Sequence, residues 1–451
     1  MELLGQLQNK YKQIMRMQFS ALTITQETGW HTSNNILHKL KIALLSYRSA
    51  PFSGGQGIFV KELSNALFKR GHKIDVISGP PMPMLDPGIK LIKLEGLNLF
   101  ETFSFRDRVS KLWNKKDKDF LDYYDFFKTL IGGFPEMYSF GERVKKYLSQ
   151  KKDYDIVIDN QSLSSGMLEI QKNYPFVEII HHPITKDFKY DLIYSNGYIQ
   201  RFFKKRWYSF LKMNKKVAPK LKKIITVSLN SKKDIAIDFK ADSKRIHVIP
   251  NGLDLKVFKK NDLLERENFK IVTVASADVP LKGLDTTLKA ISLILDKYPN
   301  TKLSVVGNPR ENGHTERLIR QLNLTNHVSF KTNLSKEEVA YEYQSSSLAV
   351  ISSLYEGFGF PAAEAMACGT PIISSNSSAL PEIVQGFGQL YEPGNSDALK
   401  ECIENFYLNR PSFNNLAQEG SLYANETFNW EKIALDYEEQ FLETIEKFNS
   451  C

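Results

Sequence analysis

The stretch from Ser352 to Ser375, S-S-L-Y-E-G-F-G-F-P-A-A-E-A-M-A-C-G-T-P-I-I-S-S, leaves the chain little choice of structure. The apolar run Leu348 to Ile351 leads into it and reads as a buried strand. Pro361 suits the first turn of a helix, where its missing N–H is no loss. Ala362, Ala363, Ala365, Met366 and Ala367 favour helix. Cys368-Gly369 stops that helix, and Pro371-Ile372-Ile373 starts the next strand. The order is strand, glycine loop, helix, strand. Loop amides from Gly357 to Phe360 then face whatever lies above the strand, and a helix N-terminus there favours an anion, a phosphate above all. Two carboxylates, Glu356 and Glu364, bracket the loop. Each would be repelled by a phosphate, so each suits a different partner. Sugar hydroxyls, which can donate hydrogen bonds to a carboxylate, fit that need. By chemistry alone the stretch points to a nucleotide sugar.

A chain of 451 residues is long for one core and comfortable for two domains. Its three cysteines, Cys368, Cys402 and Cys451, lack metal-ligand spacing and fit a reducing compartment better than a disulfide framework. No apolar run approaches membrane-spanning length, and residues 1–37 lack the continuous apolar core of a secretory signal. Leu3, Leu4, Leu7, Tyr11, Ile14 and Met15 fall at helical spacing, but the preferred reading of 1–37 is a poorly ordered extension. The expected location is cytoplasmic, either free or peripheral at the inner membrane face. A net charge of +9 suits an acidic partner: nucleotide phosphates, anionic lipid or nucleic acid.

Lys41 to Tyr47 reads as the first buried strand, Ser53 to Gly57 as a loop, Ile58 to Lys69 as a helix and Lys73 to Ser78 as a strand. This β–loop–α–β unit has glycines where a phosphate can approach, without a G-x-G-x-x-G fingerprint. Residues 81–150 are rich in aromatics, among them Phe100, Trp113, Phe120, Phe126, Phe127 and Phe134. Core contacts are preferred there over an acceptor-binding or membrane-facing surface. Strands Asp155–Ile158 and Phe176–Ile180 end at Asp159-Asn160-Gln161 and His181-His182-Pro183, where α/β proteins bind ligands. The adjacent histidines make a poor metal site, because neighbouring side chains diverge. Arg201 to Lys223 holds ten basic residues and no acid, interleaved with aromatics. It reads equally as a helix lying on an anionic membrane surface and as a solvated helix on the N-terminal domain. No nucleic-acid motif accompanies the charge. Ser231 with Asp234 suggests a capping box. The second half alternates strands (271–274, 303–306, 328–330, 348–351, 371–374) with helical patterns (284–296, 315–321, 336–344, 361–367, 397–406), the mark of a parallel sheet covered on both faces.

E-G-F-G-F-P-A-A-E followed by A-C-G-T-P resembles the E-x7-E signature of the retaining GT-B glycosyltransferases of family 4. Arg70-Gly-His72, Val248-Ile-Pro-Asn-Gly-Leu-Asp254 with Phe258, and Ala379 to Val384 are similar to that family as well. The resemblance covers 41–79 and about 155–440. It implies an α/β chain with the GT-B fold: two Rossmann-like domains facing each other across a donor-binding cleft. Expected boundaries are 1–37 extension, 38–258 acceptor-side domain, 259–425 nucleotide-sugar domain and 426–451 a helix returning to the first domain. It further implies that Glu356 contacts the donor sugar, Glu364 the ribose, and that Gly357, Phe358, Gly359 and Phe360 meet sugar and diphosphate. Gly54, Gly55 and Gly57 would face the phosphates from the first domain, Lys282 would bind the diphosphate beside Gly307, and His181, placed better than His182, would reach the sugar. Glu356, His181 and Lys282 form the implied catalytic set. Where the family usually has Gly-Arg ahead of the lysine, this chain has Ser276 and Ala277. Arg310 and Arg48 are candidates to replace that guanidinium.

The expected reaction moves a sugar from a nucleoside diphosphate sugar to a hydroxyl acceptor, with anomeric configuration retained. No cofactor and no metal are expected, on the reading that no Asp-x-Asp appears in the chain to bridge a cation to phosphates. A GT-B nucleotide-sugar epimerase and a non-catalytic nucleotide-sugar binding protein are the rivals.

Overall fold

The computed structural model describes residues 39–50, 55–102, 104–195 and 197–450. The N-terminal extension and Gly54 lie outside them. Two parallel sheets organise the chain. The first comprises β1 (Lys41–Ser46), β2 (Lys73–Ser78), β3 (Lys90–Lys93), β4 (Ile156–Asn160), β5 (Phe176–Ile179), β6 (Ile224–Thr226) and β7 (Ile246–Val248), in the order β3-β2-β1-β4-β5-β6-β7. The second comprises β8 (Glu267–Val274), β9 (Lys302–Val306), β10 (Val328–Lys331), β11 (Ser346–Ile351), β12 (Ile372–Ser375) and β13 (Gln389–Tyr391), in the order β10-β9-β8-β11-β12-β13. Both orders reverse direction once, beside β1 in the first sheet and β8 in the second. Loops leaving the carboxyl ends of strands at such a reversal open a crevice for ligands.

The central strands are buried on both faces, which explains their unbroken apolar runs. In β1, Ile42 and Leu44 face one core with Phe59, Val60 and Leu63, while Ala43 and Leu45 face another with Phe140, Val144 and Met167. The helix Trp430–Asn449 crosses back and seats Ile433, Tyr437 and Phe441 in the first of these cores. In the second half, β8 alternates likewise between a core containing Ala362, Met366 and Phe428 and one containing Leu288, Ile291 and Phe406.

Three features depart from the sequence-based expectations. Residues 81–150 form three helices, Phe105–Asn114, Phe120–Leu130 and Glu136–Ser149. Of the aromatics that the sequence reading weighed there, Phe126 and Phe134 are buried, whereas Trp113 and Phe120 are each 79% exposed, so the core reading fails for most of them. The helix Leu229–Phe239 is capped by Ser228, whose side chain accepts from Ser231 N–H at 3.0 Å; Ser231 and Asp234 do not form the box. The helix Arg410–Thr427, with strands β3 and β13, escaped the periodicity reading.

The domains are joined by polar contacts across the crevice. Glu382 accepts from Leu229 N–H and Asn230 N–H, each at 2.7 Å, so a carboxylate of one domain closes the N-terminus of a helix in the other. Tyr355 donates to Asp234 Oδ2 at 3.0 Å nearby. Glu382→Ala is expected to cost about 1–2 kcal/mol, the range for losing a helix cap. Thermal unfolding would show a lowered Tm, and amide exchange at Leu229 and Asn230 would quicken. An unchanged Tm and exchange rate would mean that this contact contributes nothing.

Candidate functional site

The loop after β11 enters the crevice at the reversal point of the second sheet. Ser353 and Lys282 both donate to Glu356 Oε1, at 2.8 and 2.7 Å. Glu356 N–H donates to Ser378 Oγ at 2.7 Å. Lys282 comes from the loop after β8, so the two neighbouring strands at the reversal supply one residue each to this ion pair. The helix Phe360–Ala367 then begins; Pro361 has no N–H, and Ala362 and Ala363 N–H donate to Gly359 O at 3.0 and 3.2 Å. Gly359, at φ +107°, makes the turn, and a Cβ there would fall 2.8 Å from Leu380 Cδ2. Glycine meets both demands.

Gly357 is gripped by the opposite domain. Its carbonyl accepts from Ser228 Oγ at 2.7 Å and Ser231 Oγ at 3.0 Å. A Cβ at Gly357 would fall 2.9 Å from the His181 carbonyl oxygen and 3.0 Å from His182 Cβ. The glycine loop of the first domain also reaches across: Gly55 lies beside Phe360, 3.7 Å from a Cβ position to the ring, and Gly57 packs on the Ala50 carbonyl. Phe358 is buried, edge-on to Phe360 and Phe428. Gly307 ends β9, its N–H donating to Lys331 O at 3.0 Å.

Glu364 lies one turn into the helix, half-buried, with Tyr343 OH at 3.5 Å. Burial lifts its carboxyl to about 7, against weaker opposing effects of Tyr343 and Lys336. The two histidines are shifted in opposite directions. Burial, with His182 adding to it, drives His181 down to about 3, so its ring is neutral and Nε2 donates to Asn160 Oδ1 at 2.8 Å, edge-on to Phe59. Burial also opposes protonation of His182, but Asp187, at 2.9 Å from Nε2, outweighs it and raises the group; Glu356 raises it too and Lys282 lowers it. The histidine that shares the field of the Glu356–Lys282 pair is therefore His182. Sequence reasoning placed His181 first and passed over Asp187, five residues after His182 in a helix without a motif.

The two arginine candidates fare differently. Arg48 is committed within the first domain: its guanidinium meets Glu136 at 3.3 Å and Glu101 at 3.4 Å and lies 3.7 Å over the Phe100 ring. Arg310 is exposed beside the crevice and makes no ion pair among the described residues. Ala277 is buried in the second core, and Asp278, at φ +58°, accepts from Arg310 N–H and Thr315 N–H at 3.1 and 2.9 Å. Asp-x-Asp does occur in the first half, at Asp117–Asp119 and Asp153–Asp155. Asp119 caps the helix Phe120–Leu130, while Asp153 and Asp155 hold Lys41 at the far end of β1, so neither motif reaches the crevice. Among the described residues no cluster of His, Cys, Asp and Glu is arranged to hold a metal.

Two family models match, Glycosyl transferases group 1 over residues 256–422 and Glycosyltransferase Family 4 over 53–257. The chain is 37% identical over 420 residues to an MMP alpha-(1->4)-mannosyltransferase of Mycolicibacterium hassiacum, covering 91% of this chain and all of that protein. Among solved structures it is similar to sucrose-phosphate synthase from Thermosynechococcus elongatus, with TM-score 0.69 and 23% identity over 90% of this chain and 99% of that one. It is also similar to Anabaena HepE in complex with UDP and glucose, with TM-score 0.65 and 17% identity over 89% and 99%.

The raised carboxyl of Glu364 has a signed consequence. A carboxyl lifted from the ordinary range to about 7 adds stability below that range, and the contribution is lost as pH rises through 7. A ligand whose hydroxyls donate to the ionised form reverses this cost, so its binding should tighten as pH rises. Titrating a nucleotide sugar between pH 6 and 8 by calorimetry should lower Kd by up to about tenfold, and Glu364→Gln should flatten the profile. The same slope in the variant would assign it to another group.

Proposed function

The chain belongs to the group 1 glycosyl transferases, which have the GT-B fold, and from that we infer that it transfers a hexose, mannose first among the candidates, from a nucleoside diphosphate sugar to an acceptor hydroxyl with retention of configuration. The observation that carries this reading is the Glu356–Lys282 pair at the reversal of the second sheet, 2.7 Å apart, with Glu364 one turn further along. An ammonium has three donors. One meets Glu356, and the others are available to diphosphate oxygens. Glu356 then holds sugar hydroxyls and Glu364 the ribose. Mannose supports the choice of donor because the 37% identical relative is an α-mannosyltransferase. Nucleoside diphosphate mannose is itself α-linked, so an α product means retention.

In the proposed step the bond from C1 to the diphosphate oxygen breaks while a bond from C1 to the acceptor oxygen forms on the same face. The acceptor proton passes to the departing diphosphate oxygen. The protein's part is position and charge: Lys282 and the loop amides stabilise the leaving group, and Glu356 fixes the sugar. His182, whose protonation Asp187 favours against burial, stands on the opposite wall. These cationic and amide groups do the work that a bridging metal does elsewhere, so the reading is metal-independent.

A second reading concerns where this happens. On the helix Gly197–Trp207, Tyr198, Ile199, Phe202 and Phe203 are 92, 76, 59 and 55% exposed, beside exposed Arg201 and Lys205. Arg206 Nε donates to Ile131 O at 3.0 Å, so the patch runs on to Ile131 and Phe127. Aromatic residues among basic ones suit an anionic lipid surface. No helix among the described residues is long and apolar enough to cross a membrane.

Two experiments test these readings. GDP-mannose and UDP-glucose, with other nucleotide sugars, are screened by thermal shift. The best donor is then assayed for transfer, with the product anomer read by NMR and EDTA present. The expected outcome is an α product formed undiminished in EDTA. Glu356→Gln should lower turnover more than donor affinity, and Glu364→Gln should weaken donor binding by about 1.5–3 kcal/mol. A β product, turnover of donor without acceptor, or activity that needs added magnesium would each overturn a stated part. For the surface, each basic residue near anionic lipid is worth about 1 kcal/mol, so wild type should co-sediment with phosphatidylserine vesicles at low salt and Arg201→Gln with Lys205→Gln should not. Wild type left in the supernatant removes the membrane reading.

A further inference from the structure

The helices that cover one face of the first sheet enclose a pocket of about 640 Å3, and every residue of its lining belongs to the first domain. Four lysines line it, Lys128, Lys212, Lys216 and Lys220, and no carboxylate does. Among the described residues none of the four makes an ion pair. Lys212, Lys216 and Lys220 follow one another at intervals of four along the helix Leu211–Val217 and the turn after it, a spacing at which like charges meet and repel. The carboxylates on the surrounding elements are engaged elsewhere. Asp119, Asp122 and Asp125 meet Arg143, Glu136 meets Arg48, Glu142 meets Lys145 and Glu169 meets Lys172. Among the described residues, therefore, nothing offsets this cluster of positive charge.

The rest of the pocket is apolar and aromatic. Phe210 and Val217 are buried in the core and Leu168 and Met213 pack against it, so they form the floor, while the four lysines are exposed and form the rim. Tyr124 and Tyr138, with ring centroids 5.1 Å apart, add a wall, and Lys128 Nζ lies 5.6 Å from the centre of the Tyr124 ring. Tyr124 and Lys128 share one face of the helix Phe120–Leu130, and exposed Phe127 and Ile131 lie on the face beside it. A Cβ at Gly132 would fall 3.2 Å from the Phe203 ring. The rim of the pocket thus runs into the aromatic patch of Phe127, Ile131 and Phe203.

We propose that this pocket binds a phosphate group carried on an apolar body, at a site separate from the transfer crevice. A phosphate monoester carries roughly two negative charges and three acceptor oxygens, enough to meet several ammoniums at once, whereas a carboxylate has one charge and two oxygens. Lysine meets phosphate as a flexible point charge and needs no fixed plane. The two tyrosine hydroxyls can donate to further oxygens, and the floor takes the apolar part. The volume lies within the range of small-ligand sites, about 300–1,000 Å3, and leaves room for more than a bare ion. Two sources carry this chemistry: a phospholipid headgroup, whose chains would leave over Phe127 and Phe203, and a soluble phosphate ester. Such a site stands or falls independently of the donor reading, because it shares no residue with the crevice.

The test titrates the full chain at low salt, by calorimetry, with dihexanoylphosphatidic acid below its micelle concentration, with phenyl phosphate and with inorganic phosphate. Wild type should bind one of the two esters at a single site, at least tenfold more tightly than inorganic phosphate. Preference for the phosphatidic acid identifies a lipid headgroup, and preference for phenyl phosphate a soluble ester. Lys212→Gln with Lys216→Gln should raise that Kd tenfold or more, whereas Lys282→Ala, which alters the crevice, should leave it within twofold. Both substituted lysines are exposed and repel each other, so the double variant should melt no lower than wild type, and lost binding is then not lost folding. Absence of binding by either ester, binding no tighter than that of inorganic phosphate, or binding that survives the double substitution and vanishes in Lys282→Ala overturns the proposal.

Discussion

The carbonyl of Gly357 takes two hydroxyl hydrogen bonds from the other domain, and the rest of the site depends on that grip. Ser228 and Ser231 stand at the N-terminus of one helix. The same end of that helix is closed by Glu382, which belongs to the domain carrying Gly357. The contact is therefore reciprocal: each domain satisfies polar groups that the other leaves open. Neutral hydrogen bonds of this kind are worth about 0.5–1.5 kcal/mol each, enough together to set the position of a loop but small against the two hydrophobic cores. A side chain at Gly357 would collide with His181 and His182, so the glycine is required by the domain contact as much as by any ligand.

Much of this was legible from residue pattern. The parallel sheets follow from unbroken apolar runs ended by glycine and polar loops, and the site loop from glycines, Pro361 and paired glutamates within nine residues. What escaped has physical causes. The strands β3 and β13 are short and lie on or near sheet edges, β3 with both end residues exposed, so their apolar signal is thin. The helix Arg410–Thr427 buries only small residues and Phe413 along most of its length, so no apolar stripe announces it. Aromatics in 81–150 read as core because a sequence does not say which face of a helix meets a neighbour. The pairing of His182 with Asp187, and of Arg48 with Glu136, depends on tertiary placement that spacing does not encode.

The loop after β8 shows how local chemistry can be redirected while the fold persists. Ala277 faces the core, and the next residue spends its carboxylate on two backbone amides, one of them at the start of the helix His314–Gln321. A carboxylate there is held low chiefly against burial by those amides, and it stabilises the turn that presents Lys282. The family pattern would place a guanidinium at this point; here an anion tightens the loop instead. At the crevice Lys282 pairs with Glu356 and, across the seam, His182 pairs with Asp187. The two pairs face each other only when the domains are held together, which ties their juxtaposition to the Gly357 contact.

The helix Gly197–Trp207 joins the remaining features. Lys204 points to Asp191 in the seam between the domains, while Phe202 and Phe203 lie on the outer surface. Residues two apart on a helix are turned well away from each other, so one short element serves the seam with one face and the exterior with the other. Its charge is divided in the same way: Lys204 is neutralised by Asp191, whereas Arg201 and Lys205 are exposed. Arg206 ties this helix to Ile131, so the exposed aromatics of the two elements lie in one patch.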